Sequence, residues 1–433
     1  MAMLYPYHEN AAMAMKGKMI RRILYYTHNS TGVGHVFRAR AIITGIQKWR
    51  PDIDFLVLSG TSIPHILLRE GIEVVKLPGV EKMITDHETT PNAPLKCAAA
   101  GCERPVFKPR YLKGMTLDAV MRLRRKIIAE TCRCFQPDVV MIEHYMGGLL
   151  DEMATILERN RRTGRFISVA FSRGIMGPDG EFLAACGPHR LDHLVSKMDY
   201  IYIFDDSDIL NRRRYEELKL SATTEVACVG RITDKRLDEL PHRREVQHRF
   251  RLTDKPIVLM SLSRYGDIAM LCIHLLKACH INGIDRTHQI IFVIDPYLKK
   301  EVLENIQRHF LAAQVRFLPF FYPLIDLIHA SELVICRAGY NTINELLLTG
   351  VKAIVVPEAH SSGEQEARAA IIPHDNIIVL SEETVLKEPP TTVIRDIVGR
   401  RRTRLPFDFD KYAIGQRIIT DLEQRHACLR GSF

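Results

Sequence analysis

Residues Ser331–Ala369 read SELVICRAGYNTINELLLTGVKAIVVPEAHSSGEQEARA, and this stretch decides how the chain folds. The apolar run in Glu332–Gly339 breaks at a glycine and is followed by a helix-period segment. A second apolar run, Lys352–Glu358, ends at Pro357 and a polar loop, after which helical spacing resumes. Strands that are almost wholly apolar are those buried on both faces of a parallel sheet. The stretch therefore predicts strand, turn, helix, strand, loop, helix, one unit of a doubly wound α/β sheet.

The same alternation extends outward in both directions. Upstream, PIVLMSLS (256–263), QIIFVID (289–295) and QVRFLPF (314–320) read as strands, and NIIVLS (376–381) follows downstream. The first half repeats the pattern with RILYYTH (22–28), IDFLVLSG (53–60), GIEVVKLPG (71–79), PDVVMIEH (137–144), RFISVAFS (165–172), DYIYIFD (199–205) and TEVACVG (224–230). Helical candidates such as Leu117–Phe135 sit between them. A length of 433 residues suits two domains better than one core. The expected organisation is an extension (1–19), an acceptor-side α/β domain (20–230), a polar linker (231–255), a second α/β domain (256–408) and a helix (409–433) packing back at the domain junction. Residues 79–114, rich in Pro, Gly, Thr and Lys, interrupt the first set as a long excursion.

Composition narrows the class. An apolar fraction of 46% and a charged fraction of 26% are those of an ordinary globular protein. No run reaches the roughly 20 apolar residues that span a bilayer. The ten cysteines fall in no zinc-binding spacing. Reduced cysteines and a cytoplasmic location are expected. The net charge of +9 draws on clusters such as Arg122–Ile127 and Gly399–Arg404. No recognition helix, finger or aromatic–basic interleaving accompanies them, so nucleic acid is not the expected partner. Phosphate-bearing small molecules, or peripheral contact with an anionic inner-membrane surface, fit the charge.

Two such domains face each other across a cleft at the carboxyl ends of their strands, where ligands bind in this architecture. TGVGHVFRARAI (31–42) stands on the first wall. Gly32 and Gly34 allow close ligand approach, and His35 at the helix start has the chemistry of a base near neutral pH. Phe37 stands where a dinucleotide fingerprint needs its third glycine. On the second wall, Gly339, Tyr340, Asn341 and Thr342 offer backbone N–H groups and a hydroxyl at a helix N-terminus, a phosphate-binding arrangement. Glu345, one turn on, is placed to accept from two vicinal ribose hydroxyls. His360, Glu364 and Gln365 lie where a sugar on the diphosphate would reach.

These residues resemble the donor-binding region of the GT-B glycosyltransferases related to MurG, the peptidoglycan N-acetylglucosaminyltransferase, and in particular a group of bacterial glycosyltransferases with GYNT in the turn. The matching positions are Cys336, Arg337, Ala338, Gly339, Thr342, Glu345, Pro357, His360, Gln365 and Ala369, together with the glycine-rich loop bearing His35. The resemblance implies two Rossmann-like domains and a metal-independent, inverting transferase that uses a nucleotide diphosphate sugar, with a UDP-sugar such as a UDP-N-acetylhexosamine as the first expectation. It places Glu345 on the ribose, the Gly339–Thr342 turn at the phosphates, Glu364 and Gln365 on the sugar, and His35 opposite. No cofactor is expected, and the acceptor is left open. Arg38 and Arg173, with Lys108 and Arg110, are acceptor- or phosphate-side candidates. One departure stands out: Ser261–Gly266 occupies the place of the family's glycine-rich diphosphate loop, with Ser263 and Arg264 as the substitute contacts. A nucleotide-sugar hydrolase, in which His35 activates water, and a noncatalytic sugar-nucleotide-binding protein are the alternatives. The first follows from the similarity of GHVFRARAI to the hydrolase of pseudaminic acid synthesis. Paired acid/base carboxylates that would mark an epimerase are not evident.

Overall fold

The structure is a computed structural model that describes residues 19–28, 34–82, 107–174, 195–205, 224–263, 266–310, 315–319, 322–358, 363–372, 375–403 and 409–431. Among the described residues, nine strands form before residue 230: β1 (Arg22–Thr27), β2 (Asp54–Ser59), β3 (Glu73–Lys76), β4 (Val80–Lys82), β5 (Phe107–Pro109), β6 (Val139–Glu143), β7 (Ile167–Arg173), β8 (Tyr200–Phe204) and β9 (Glu225–Cys228). Seven of them make a parallel sheet in the order β3-β2-β1-β6-β7-β8-β9. The two ends of the 79–114 excursion, β4 and β5, pair antiparallel as a separate hairpin.

The second sheet contains β10 (Ile257–Ser261), β11 (Gln289–Val293), β12 (Val315–Leu318), β13 (Leu333–Cys336), β14 (Lys352–Val355) and β15 (Ile377–Val379). Their order is β12-β11-β10-β13-β14-β15, again all parallel. Central strands are buried end to end: β6 and β13 are buried at every residue. Each fully buried Val, Leu or Ile contributes about 1.5–3 kcal/mol, so the long apolar runs account for both sheets. Strand order reverses between β1 and β6 and again between β10 and β13. Crevices open at such switch points beyond the carboxyl ends of the strands.

Within residues 231–255, expected to link the domains, Ile232 is buried in the first domain's core, whereas the part from Leu237 to Leu252 folds onto the second. Val246, on the short helix Arg243–Arg249, is fully buried in that domain's core, with Leu237, Leu240, Phe250 and Leu252 packed beside it. Their apolar side chains are spaced too widely among charged residues to register as an element in the sequence. The final helix, Lys411–Gly431, crosses back onto the first domain, burying Ile414, Ile418, Ile419 and Leu422 there. It meets the first helix, Gly34–Gln47, at a glycine pair. A Cβ on Gly45 would stand 2.4 Å from the Lys411 carbonyl oxygen, and one on Gly415 would stand 2.2 Å from the Gly45 carbonyl carbon. Only hydrogen side chains permit that approach.

Candidate active site

The first switch point gathers side chains from three strand ends and one helix. His28 follows β1, Glu143 closes β6, His144 comes next, Arg173 ends β7, and His35 and Arg38 lie in the first turn of the helix Gly34–Gln47. His35 Nδ1 is 3.1 Å from Glu143 Oε1, and Arg38 makes an ion pair with the same oxygen. Glu143 is wholly buried and the His35 side chain is 13% exposed. Burial works to raise the Glu143 carboxyl, but Arg38 and His35 outweigh it and hold the group below its ordinary range. Burial lowers the pKa of His35, with Glu143 acting in the opposite direction, and the net shift is downward. His35 is thus neutral near pH 7. With Nδ1–H donating to Glu143, Nε2 is left with the lone pair that a base requires.

Two further histidines pack against it. The His28 and His35 rings lie 4.3 Å apart, and His144 stands 5.6 Å from His28 and 5.3 Å from His35. Burial pushes both His28 and His144 well down, so the imidazoles carry no charge. His144 has a backbone φ of 71°. Non-glycine residues held in the left-handed region carry strain and concentrate at functional sites. Arg173 Nη2 sits 3.4 Å from both ring nitrogens of His144.

The second wall comes from the turn after β13. Gly339 (φ −64°, ψ 146°) caps the helix Tyr340–Thr349 without a side-chain bond, and Gly350 in the left-handed conformation ends it. The Thr342 hydroxyl makes no hydrogen bond among the described residues. The Glu345 carboxylate has neither a hydrogen bond nor an ion pair among them. Burial pushes Glu345 up to about 8, with Asp234 and Asp326 adding to the shift. Tyr340 and Asn341, by contrast, spend their side chains on the first domain: Asn341 Nδ2 donates to the Gly34 carbonyl at 2.9 Å, and the Tyr340 hydroxyl donates to the Phe204 carbonyl at 2.6 Å.

Glu364 and Gln365 open the next helix, Glu364–Ala370. Glu364 pairs across the cleft with Arg173 at 2.8 Å and, within its own helix, with Arg368. Burial would raise its carboxyl, but the two arginines hold it low. The Gln365 carbonyl oxygen accepts from Ala338 N at 3.1 Å and Glu358 N at 3.2 Å, while its amide donates to Glu358 at 2.9 Å. Gln365 therefore braces the turn's backbone. Ser263 lies beyond β10, near the second switch point, whereas Gly32, Arg264 and His360 fall outside the described residues. Lys108 and Arg110 meet Glu81 at 3.3 and 3.4 Å, and the Arg110 guanidinium carbon stacks 4.7 Å from the Tyr297 ring of the second domain. Among the described residues, no three His, Cys, Asp or Glu side chains are grouped to hold a metal ion.

Residues 274–398 match the glycosyltransferase family 28 C-terminal domain. The fold matches too: the structure of Acinetobacter baumannii MurG superposes with a TM-score of 0.50 at 15% identity, covering 94% of this chain and 99% of that one. The chain has the GT-B fold, and its second domain is similar to the family 28 C-terminal domain. The calicheamicin glycosyltransferase CalG4 (TM-score 0.53, 14% identity, 95% and 98% coverage) and the S. aureus MnaA–UDP co-structure (0.58, 9%, 94% and 97%) share the fold. In sequence, the chain is 25% identical over 122 residues to the UDP-N-acetylglucosamine–N-acetylmuramyl-(pentapeptide) pyrophosphoryl-undecaprenol N-acetylglucosamine transferase of Listeria monocytogenes, covering 28% of this chain and 34% of that one. The enzyme of the same name from Exiguobacterium sp. is 26% identical over 164 residues, 36% and 43% of the two chains. The chain thus spans about a third to two fifths of the length of these relatives.

Sequence reasoning missed Glu143, His28 and His144. Glu143 and His144 were in view only as the tail of the apolar run PDVVMIEH, and a charged residue closing a fully buried strand was the available signal.

Proposed function

We propose that this chain transfers a sugar from a nucleoside diphosphate sugar to an acceptor hydroxyl, with His35 as the base. The His35–Glu143 couple carries the reading. It stands directly across from the turn of the domain that matches glycosyltransferase family 28, where Asn341 touches the residue before His35. His35 Nε2 takes the acceptor's proton as the acceptor oxygen bonds to the anomeric carbon. The bond from that carbon to the diphosphate oxygen breaks, and the nucleoside diphosphate leaves. A single displacement of this kind inverts the anomeric centre. The leaving charge is met by the N-terminus of the helix Tyr340–Thr349 and the Thr342 hydroxyl, so the mechanism calls on no metal. Glu345 accepts from the ribose hydroxyls. The relatives' names make UDP-N-acetylglucosamine the first donor to try. Exposed Arg122, Arg125 and Lys126 on the first domain suit an acceptor presented at an anionic surface, and no helix among the described residues is long and apolar enough to cross a membrane.

The test is nucleotide release from a panel of UDP-, GDP-, dTDP- and CMP-sugars, alone, with cell extract as acceptor, and with EDTA. Wild type and His35→Ala run in parallel. Extract-stimulated release that His35→Ala lowers by about 10²–10⁴-fold, and that EDTA leaves intact, supports transfer. Full turnover with water alone selects the hydrolase, and binding without turnover selects the noncatalytic reading.

A further inference from the structure

Gly339, Thr342 and Glu345 account for the donor side of the turn, but Tyr340 and Asn341 between them remain unexplained by donor binding. Their side chains cross the cleft. The Gly34 carbonyl that Asn341 holds belongs to the first residue of the helix whose second residue is His35. The Asn341 amide nitrogen would stand 3.3 Å from a Cβ on Gly34, so the fit tolerates little displacement. Tyr340 is 6% exposed, and its ring is packed in the apolar cluster of the first domain, not that of its own. The Arg38 guanidinium carbon lies 5.2 Å from the centroid of that ring, and Arg38 grips Glu143, which holds His35. Two routes therefore lead from the turn to the imidazole. One runs through the backbone, from Asn341 to Gly34 to His35. The other runs through side chains, from Tyr340 to Arg38 to Glu143 to His35.

We propose that Tyr340 and Asn341 are positioning residues through which the donor-side turn sets the placement of His35 on the opposite wall. The proposal rests on the reading of His35 as the base. A base works only within hydrogen-bond reach of its proton, and a misplacement of about 1 Å costs on the order of a hundredfold in rate. In a two-domain enzyme that distance spans two bodies, and it is fixed only where side chains bridge them. The groups of the turn that face a phosphate are backbone N–H and the Thr342 hydroxyl, which neither Tyr340 nor Asn341 consumes with its side chain. Donor affinity and base placement are therefore separable. The junction as a whole is held elsewhere as well, by Arg231 with Asp205 at 3.1 Å, Arg40 with Asp234 at 2.5 Å and the Gly45–Gly415 crossing. Removing one amide leaves the domains joined.

The experiment compares full-length wild type with Asn341→Ala, Asn341→Leu and Tyr340→Phe. Leucine fills the space of asparagine without an N–H, and phenylalanine keeps the ring beneath Arg38 while losing the bond to Phe204. With a donor identified from the panel, kcat falls about tenfold to hundredfold in both Asn341 variants, and less in Tyr340→Phe, while the Kd for UDP stays within about twofold. The second readout needs no turnover. In ring-labelled protein, the His35 resonances, assigned with His35→Gln, move in the Asn341 variants. Those of His274, whose Nδ1 is bonded to the Val385 carbonyl within the second domain, stay in place. Wild-type kcat with unmoved His35 resonances overturns the proposal. So does a loss of UDP affinity that matches the loss of turnover, which would make both residues donor contacts. If wild type turns over no nucleotide sugar, the transferase reading falls by itself, and the His35 ring shift alone decides whether the link exists.

Discussion

Two helix N-termini flank the switch point of the second sheet, and they are built in opposite ways. After β13, the helix Tyr340–Thr349 starts at Gly339 with no side-chain cap, leaving its first N–H groups and Thr342 for a ligand. After β10, the helix Ile268–Ile281 starts at Asp267, whose carboxylate accepts from Met270 N at 3.2 Å. A positive helix end already satisfied by its own aspartate offers little to a diphosphate, because the fixed negative charge repels the incoming one. Beside it, Gly266 (φ 74°) leaves no room for a side chain: a Cβ there would stand 2.3 Å from Glu382 Oε1. The departure read in Ser261–Gly266 thus has a structural counterpart in the capped helix start, and the proposed diphosphate site lies at the turn after β13.

Substitutions sharpen or break that contrast. The largest effect belongs to the wall that faces the uncapped turn. Glu143→Ala leaves Arg38 buried without its partner and costs about 3–5 kcal/mol in urea unfolding, together with most of the turnover. The milder Glu143→Gln removes the group that raises the His35 pKa. The acid limb of the pH–rate profile, already expected below the ordinary histidine value of 6.5, therefore moves further down. An upward move would uncouple the pair. Next in size, Thr342→Ala weakens UDP binding by about 1.5–3 kcal/mol in calorimetry, the range for a hydrogen bond to a charged group.

Glu345 gives a pH signature. Its free-state pKa of about 8 means that the carboxyl is mostly protonated at pH 7, whereas accepting two ribose hydroxyls favours the ionised form. UDP affinity then rises severalfold as pH climbs toward 8 and levels off above it, with proton release visible in buffers of different ionisation enthalpy. Glu345→Gln abolishes the rise. The smallest effect is the sharpest check on the comparison: Asp267→Asn keeps a capping side chain, and UDP affinity stays within about twofold. A tenfold gain there would show that the diphosphate uses the helix after β10 after all.

The central strands, such as β1, β6, β10 and β13, were legible because each is a nearly uninterrupted apolar run, and burial on both faces of a parallel sheet is a local property; the short polar strands β4 and β5 were not. The turn and helix start that carry Gly339, Thr342 and Glu345 were legible for a related reason, since both lie within seven residues. The partners were not. Gln365 ends the polar stretch His360–Gln365, which reads as sugar-facing, and only the folded chain shows its amide bracing Ala338 and Glu358. Glu364 reads the same way and is found bridging to Arg173, 191 positions earlier in the chain.

What the sequence determined by itself is the pair of doubly wound sheets, the place of the cleft, and the two short motifs on its walls. Periodicity and turn chemistry report whether a residue is buried and how the backbone bends next to it. Tertiary structure alone decided that Glu143 backs His35, 108 residues away, that three imidazoles meet at one strand edge, and that Tyr340 and Asn341 reach across to the first domain. Those pairings depend on which strand ends lie side by side once the order reverses between β1 and β6, and no local pattern encodes that adjacency.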